Sequence, residues 1–483
     1  MNTERTVRKP NPAEAISAIL FLLVLAVVGY TMFGLRVEIL MLLSSFYAAF
    51  IGWRCGLSVK NMLDGVYAKI GESGSLFLFV TGIGFVVGAW LYSGTIPVVI
   101  SWLVQVVSAK IILLLAFVTC SIVAVILGTA GGTIGTIGVI MLGVATVQGV
   151  HPGMAAGAII SGCYVGQIFS PVADMPTLSG QLCGEDAFTS IKLLFPSGLT
   201  AYVIAMVVFL AMGFGGASGE TSVAAIGNFV TSVEAAFNTS ILVLFPLAVL
   251  VTLIILKVAP APSMFISGFS GLLVGWLYQG FTLKSGCMAL YSGFTVAMLP
   301  QGFEYSKEFL GLMGRGGMTS IASMYVFIVV AMVYAGLMSR MGAVEVVAET
   351  LFGRIKKAGN LILASTLGTF VIQGCVGSVY ATVFVSSEMF GERFDKLGLS
   401  RRNLLRVLQT GSTLGVILIP WTSGSVYAST VLGIEPLAFI PYLVWIYTAI
   451  LINVIMGYIA KFVIPAGRPA EEAGAGEPAA AHQ

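Results

Sequence analysis

Charge is what this sequence has least of. Only 9% of its 483 residues are Asp, Glu, Lys or Arg, whereas soluble domains carry roughly a quarter charged residues. So few charges cannot cover a water-facing surface, and the chain is read as an integral membrane protein. Histidine is scarcer still, with two in the chain. With so few histidines and no acidic cluster, no metal site is expected beyond a Na⁺ site at Asp174. No histidine lies deep in a helix to serve a membrane serine protease dyad.

Other absences narrow the chemistry further. The six cysteines (Cys55, Cys120, Cys163, Cys183, Cys287, Cys375) form no C-x-x-C pair and fall mostly within apolar runs, so no disulfide framework is expected. The glycine-rich stretch at Gly128 lacks the Lys-Ser/Thr of a phosphate-binding loop. No basic stripe is interleaved with aromatics, so nucleic acid is not an expected partner. The chain is not read as an enzyme and needs no cofactor; Na⁺ and/or H⁺ are the expected coupling ions. The first apolar run, 16–32, lacks a small-x-small cleavage site and is read as a membrane anchor.

What fills the chain is apolar: 58% of residues are hydrophobic, with a mean hydropathy of +0.99. Runs of about twenty residues recur, the length a helix needs to cross a hydrocarbon core of roughly 30 Å. They do not alternate as strands of a barrel would. Spanning helices are predicted near 15–33, 37–52, 75–93, 193–213, 238–258, 263–281, 317–338 and 436–463.

Four segments do not read as simple spans. Residues 111–148 form two apolar arms around Gly128-Thr129-Ala130-Gly131-Gly132-Thr133, and 360–391 form two arms around Gly374-Cys375-Val376-Gly377-Ser378-Val379-Tyr380. Segments 153–183 and 404–433 are helices broken at Ser170-Pro171 and at Pro420-Trp421-Thr422-Ser423-Gly424. The loops on both sides of 360–391 are basic, which makes that segment a re-entrant hairpin entered from the cytoplasm.

With 111–148 as a hairpin entered from outside, 19 of the 24 Lys and Arg become cytoplasmic. They are Arg5, Arg8, Lys9, Arg54, Lys60, Lys69, Lys192, Lys257, Arg340, Arg354, Lys356, Lys357, Arg393, Lys396, Arg401, Arg402, Arg406, Lys461 and Arg468. The expected architecture is all-α and polytopic, with about ten spanning helices, two re-entrant hairpins and two broken helices. The protein is placed in the cytoplasmic (inner) membrane with both termini on the cytoplasmic side.

An internal repeat supports this layout. Gly128, Thr133, Gly162, Gly166, Pro171 and Gly184 recur as Gly377, Thr382, Gly411, Gly415, Pro420 and Gly433 at a separation of 249, and Thr129 meets Ser378. Upstream, Gly88 and Gly94 meet Gly336 and Gly342 at 248. The two units start from opposite sides, so they are inverted repeats, an architecture of secondary transporters. The domain reading is 1–74 scaffold, 75–213 first repeat, 214–316 linker and scaffold, 317–464 second repeat, and 465–483 a disordered cytoplasmic tail.

Irregular backbone at membrane depth is tolerated only where protein or a water-filled site satisfies it, so the breaks mark the site. They would gather Thr129, Thr133, Ser170, Asp174, Thr177, Ser378, Thr382, Thr422 and Ser423, a set of hard oxygen donors suited to Na⁺, around the breakers Gly128, Pro171, Pro176, Gly377 and Pro420. The competing reading is close helix packing on small residues. Asp174 alone among the acids falls at predicted mid-membrane depth, where a carboxylate marks a proton or cation path; Asp64, Glu72, Glu388 and Glu435 are placed near helix ends. A half-helix cap is the alternative role for Asp174. Gln167 can ligate weakly but cannot titrate. Trp421 is read as a cavity wall or a packing aromatic, and His151 as incidental.

These motifs resemble the NhaC-type Na⁺/H⁺ antiporter family. The resemblance runs over about 75–460. It rests on Gly88-Ala89-Trp90-Leu91-Tyr92-Ser93-Gly94-Thr95-Ile96-Pro97, Gly128-Thr129, Pro152-Gly153-Met154, Ser170-Pro171-Val172-Ala173-Asp174, Arg315-Gly316-Gly317 and Leu418-Ile419-Pro420-Trp421. It implies a cation-coupled secondary transporter in a lipid bilayer that exchanges Na⁺, or another monovalent cation, for H⁺. Relatives that move small amino acids or organic acids with these ions supply the alternative. A homo-oligomer is admitted but not read from the sequence.

This chain departs from the family pattern at its acids. Gln167 stands where the family has Asp, Met175-Pro176-Thr177 where it has Thr-Thr-Asn, Ser378-Val379 where it has Asp-Gln, and Thr422 where it has Asn after Pro-Trp. Gln409-Thr410 lies where the family carries an acid. One deep carboxylate leaves room for one competing cation at a time.

Overall fold

The computed structural model describes residues 8–466 except 73, 172, 217–222, 257, 315, 344–345, 348–349, 351–354 and 356. Arg5, Val172, Lys257, Arg315, Arg354, Lys356 and residues 467–483 of the predicted tail therefore lie outside the described residues, while Pro465 at the tail's start pairs with Leu399. The chain is an all-helical, polytopic membrane protein. Five described helices are long and apolar enough to cross a membrane, or nine spans if each bent pair counts as one, against about ten expected.

The differences have local causes. The predicted single helix 436–463 is two, Pro436–Tyr442 and Val444–Tyr458, bent by 55°. Pro441 removes an amide donor at that point, and Leu443 leaves helical geometry at ψ 57. Five described helices escaped a search for long apolar runs: Val59–Glu72, Thr95–Val106, Val223–Ala236, Leu283–Ser292 and the short Lys307–Met313. Val223–Ala236 lies near the start of the stretch expected to be linker and scaffold. Asp64 and Glu388 sit inside Val59–Glu72 and Val379–Lys396 rather than at helix ends, and both are exposed.

The two hairpins and two broken helices form where expected. The first hairpin runs Ile112–Leu127, then Ala130–Thr133, a π-helical stretch Ile134–Gly138, and Val139–Val147. The second pairs Ala358–Val376 with Val379–Lys396. Nineteen residues rise about 28 Å at 1.5 Å each, so the arms are long. Ala130–Val147 and Ala358–Val376 each have the length and hydropathy of a full span.

The first broken helix is Pro152–Phe169 followed by Asp174–Cys183, bent by 44°. The second is Arg401–Val407, a π-helical segment Leu408–Thr413, a 3-10 turn Gly415–Ile417, and Ser423–Leu432.

Glycines matched by the repeat share backbone geometry. Gly128 and Gly377 both end their arms at φ 71, Gly184 and Gly433 end their helices at φ 75 and 68, and Gly94 and Gly342 stand at φ 77 and 66. That left-handed region costs glycine little and other residues much. The packing repeats as well. A Cβ on Gly162 would lie 3.0 Å from the Cys120 Cβ, and one on Gly411 would lie 3.0 Å from the Cβ of Thr369, the matching residue.

Contacts at their ends fix the direction of the broken helices. Arg402, at the start of the second, pairs with Glu185, just past the end of the first, at 2.7 Å. His151, before the first, faces Tyr442, beyond the second, with ring centroids 6.0 Å apart. The two broken helices therefore run antiparallel, as an inverted repeat requires.

Gly166 tests this packing. A Cβ there would lie 2.1 Å from the Ala124 backbone carbon, whereas one on Gly227 meets nothing within 4 Å. Gly166→Ala is expected to destabilise by about 1–3 kcal/mol and Gly227→Ala to be neutral or stabilising by up to about 1 kcal/mol. Thermal unfolding of the purified variants in detergent checks both signs.

Candidate functional site

All four breaks meet through one ring of hydrogen bonds. The Ala130 N–H, opening the second arm of the first hairpin, donates to Gln167 Oε1 at 2.8 Å, and Gln167 Nε2 donates to Asp174 Oδ1 at 2.7 Å. Tyr380 Oη, at the tip of the second hairpin, donates to Asp174 Oδ2. The Ser423 N–H, where the second broken helix restarts, donates to the Gly377 carbonyl at 2.9 Å. Tyr427 Oη, one turn on, closes the ring by donating to the Gly131 carbonyl at 2.5 Å.

Asp174 is the hinge of this ring. It opens the half-helix Asp174–Cys183, and its side chain spans to Gln167 and Tyr380 instead of capping that helix. The residue is exposed even with both carboxylate oxygens bonded. Its counterpart at 249 residues' separation is Ser423; the carboxylate belongs to one half alone.

The predicted hydroxyls are near the breaks but largely committed to their own backbone. Thr133 donates to the Thr129 carbonyl at 3.0 Å and Thr382 to the Ser378 carbonyl at 2.8 Å. Thr177 donates to Ala173 at 3.1 Å, and Thr422 to Ile419 at 2.8 Å and to Val416. A hydroxyl that donates keeps oxygen lone pairs, so these bonds orient the oxygens. Thr129 accepts from the Gly132 N–H at 3.4 Å, while Ser378 makes no such cap. Ser170 is buried, and the Pro176 carbonyl accepts from Ser190 at 2.9 Å. Pro171 is exposed and Pro420 half-buried. Trp421 is buried with its Nε1 donating to the Gly374 carbonyl at 2.9 Å, which makes it a strut between hairpin and broken helix.

The sequence reading missed Tyr380 and Tyr427. Their signal was a phenol placed within the first turns of a half-helix. It also missed a polar cluster in the second half. Both polar atoms of Gln373 and of Gln409, and the hydroxyls of Ser386, Ser412 and Thr413, are buried with no hydrogen-bond partner among the described residues. An unmade bond of this kind costs about 1–3 kcal/mol per group. The glutamines were visible within apolar runs, but the π-helical stretch that carries Gln409 was not.

Known proteins match this chain over most of its length. The Na⁺/H⁺ antiporter family model matches residues 162–461. The malate-2H⁺/Na⁺-lactate antiporter of Bacillus subtilis (strain 168) is 27% identical over 463 residues, 95% of this chain and 97% of that protein. The Na⁺/H⁺ antiporter NhaC of Alkalihalophilus pseudofirmus is 27% identical over 445 residues, 90% of this chain and 93% of that one. The arginine/ornithine antiporter ArcD of Halobacterium salinarum is 25% identical over 460 residues, covering 93% and 92%.

The ring predicts a measurable coupling. Tyr380→Phe and Gln167→Leu are each expected to speed amide exchange at 129–133 and 378–381 by about tenfold, the loss of roughly one net hydrogen bond. Hydrogen–deuterium exchange with mass spectrometry reads both tips at once, and a change confined to the mutated tip contradicts the ring.

Proposed function

The chain belongs to the Na⁺/H⁺ antiporter family, and from that premise we propose that it exchanges Na⁺, or another monovalent cation, for H⁺ by alternating access, with Asp174 as the shared site. The observation that carries this reading is the bridge Asp174 makes between Gln167 and Tyr380. Charge at one carboxylate thereby becomes a force between the two halves of the molecule.

The chemistry follows from how a carboxyl group bonds. Ionised, it only accepts, and it holds both Gln167 Nε2 and Tyr380 Oη. Protonated, one oxygen turns donor, so the bond from Tyr380 must turn or break. A Na⁺ ion draws on the same lone pairs as these donors, helped by hydroxyl oxygens at the breaks. Proton and cation therefore compete for Asp174, and each leaves the contact between the halves in a different state. A two-state protein responds to a ligand only through such differential contacts.

A single carboxylate limits the exchange to one competing cation at a time. The membrane placement in this reading is that of a cytoplasmic-membrane protein with both termini inside, following the distribution of Lys and Arg.

Proteoliposomes loaded with acid and a pH-sensitive dye provide the test. Added Na⁺ is expected to alkalinise the lumen. Asp174→Asn is expected to abolish the response, and Asp174→Glu to keep a reduced one. A parent protein with no cation-dependent pH change, or an Asp174→Asn variant at full rate, refutes the assignment.

A further inference from the structure

We infer, on the alternating-access reading above, that this conformation opens Asp174 to one end of the molecule only, and that Tyr427 is the latch that shuts the path to the other end. Chain connections define the two ends. Residues 148–151 join the first hairpin to the first broken helix, so that hairpin's base lies at the His151 end, beside Tyr442. Residues 397–400 join the second hairpin to the second broken helix, so its base lies at the opposite end, where Arg402 pairs with Glu185. The second arm of each hairpin thus runs from the breaks to its own end, beside the half-helix of the other repeat that leads the same way. Val379–Lys396 packs on Asp174–Cys183, and Ala130–Val147 packs on Ser423–Leu432.

These two seams match at a separation of 249, yet they differ in exposure. In the first, Asp174, Thr177 and Gln181 share one face of the half-helix, and Tyr380, Phe384 and Glu388 share one face of the arm. All six are exposed, Tyr380 by 50% and Phe384 by 46%. The bond from Tyr380 to Asp174 turns the two faces toward each other. A carboxylate, a hydroxyl and an amide aligned at membrane depth are costly against lipid, so this seam borders water.

The second seam is plugged. Its matching residues are Ser423, Val426 and Thr430 opposite Gly131, Gly135 and Val139, each half-buried or buried. Tyr427, 6% exposed, lies across it: its Oη donates to the Gly131 carbonyl at 2.5 Å, and a Cβ on Gly135 would lie 3.2 Å from that oxygen. Glycines at 131 and 135, where the first seam has Tyr380 and Phe384, leave room for the phenol. The residue matching Tyr427 in the first seam is Leu178, which has no polar side-chain atom to make such a tie. Rocking of one repeat against the other around a fixed site exchanges open and shut sides, and here the shut side opens when Tyr427 leaves Gly131. Tyr427 is a positioning residue, acting on access to Asp174 rather than on the ion.

Thiol reactivity tests this without transport. Full-length protein carrying Cys287→Ser, which removes the exposed native thiol, receives either Gln181→Cys in the open seam or Thr430→Cys, its match, in the plugged one. Each is reacted in detergent and Na⁺-free buffer with a charged thiol reagent, and the background of Cys287→Ser alone is subtracted. Gln181→Cys is expected to react faster than Thr430→Cys. Adding Tyr427→Phe is expected to speed the reaction of Thr430→Cys about fivefold, the worth of roughly one net hydrogen bond, and to leave that of Gln181→Cys unchanged or slower. Gly135→Ala crowds the phenol without removing it; the same pattern is expected, and it decides the matter if Tyr427→Phe misfolds. Equal reactivity of the two cysteines in the parent, no change at 430 in either folded variant, or acceleration at both positions together, the mark of general loosening, overturns the assignment. The two readings fail separately: labelling is followed without Na⁺, whereas exchange at Asp174 is judged by its own Na⁺-dependent pH response.

Discussion

Everything near the centre of this molecule answers to the need to satisfy backbone groups freed where helices stop inside an apolar body. Each break exposes amides and carbonyls that lipid cannot satisfy. Here they are met by one another and by a few long side chains: Ala130 by Gln167, Gly377 by Ser423, Gly131 by Tyr427. The breaks are thus stable only as a set, and the antiparallel course of the two broken helices brings that set together.

Asp174 holds an exceptional place in that set because its bonds depend on its charge. Tyr427 and Trp421 hold their partners at any pH a cell meets, whereas a carboxylate loses acceptor capacity when it gains a proton. The hydroxyls of Thr133, Thr177, Thr382 and Thr422 bond carbonyls of their own segments, and in the proposed function they supply fixed oxygens beside the carboxylate.

Much of this was legible in the sequence, and the reasons for the rest are physical. The breakers Gly128, Gly377, Pro171 and Pro420 announced themselves because glycine and proline break long apolar helices, and the 249-residue spacing tied them together. Amphipathic helices such as Val59–Glu72 were not visible to a search for continuous apolarity. The break at Leu443 was marked by Pro441 but passed over, because the residues around it form a continuous apolar run long enough for one span. Tyr380 escaped because its partner is distant in sequence, and the cluster around Gln409 because a π-helical turn leaves no periodic trace in composition. The acids that separate this chain from its family pattern were readable at once, but not what neutral residues at those positions do to the interior.

The repeat pairs Asp174 with Ser423, and that mismatch has an energetic consequence. A transporter made of two identical inverted halves would have inward-open and outward-open forms of equal energy, since each would be the other turned over. Placing the charged joint in one half removes that degeneracy. On the reading proposed above, with Asp174 as the shared site, the two forms of the carrier then differ in energy according to what that one carboxylate holds.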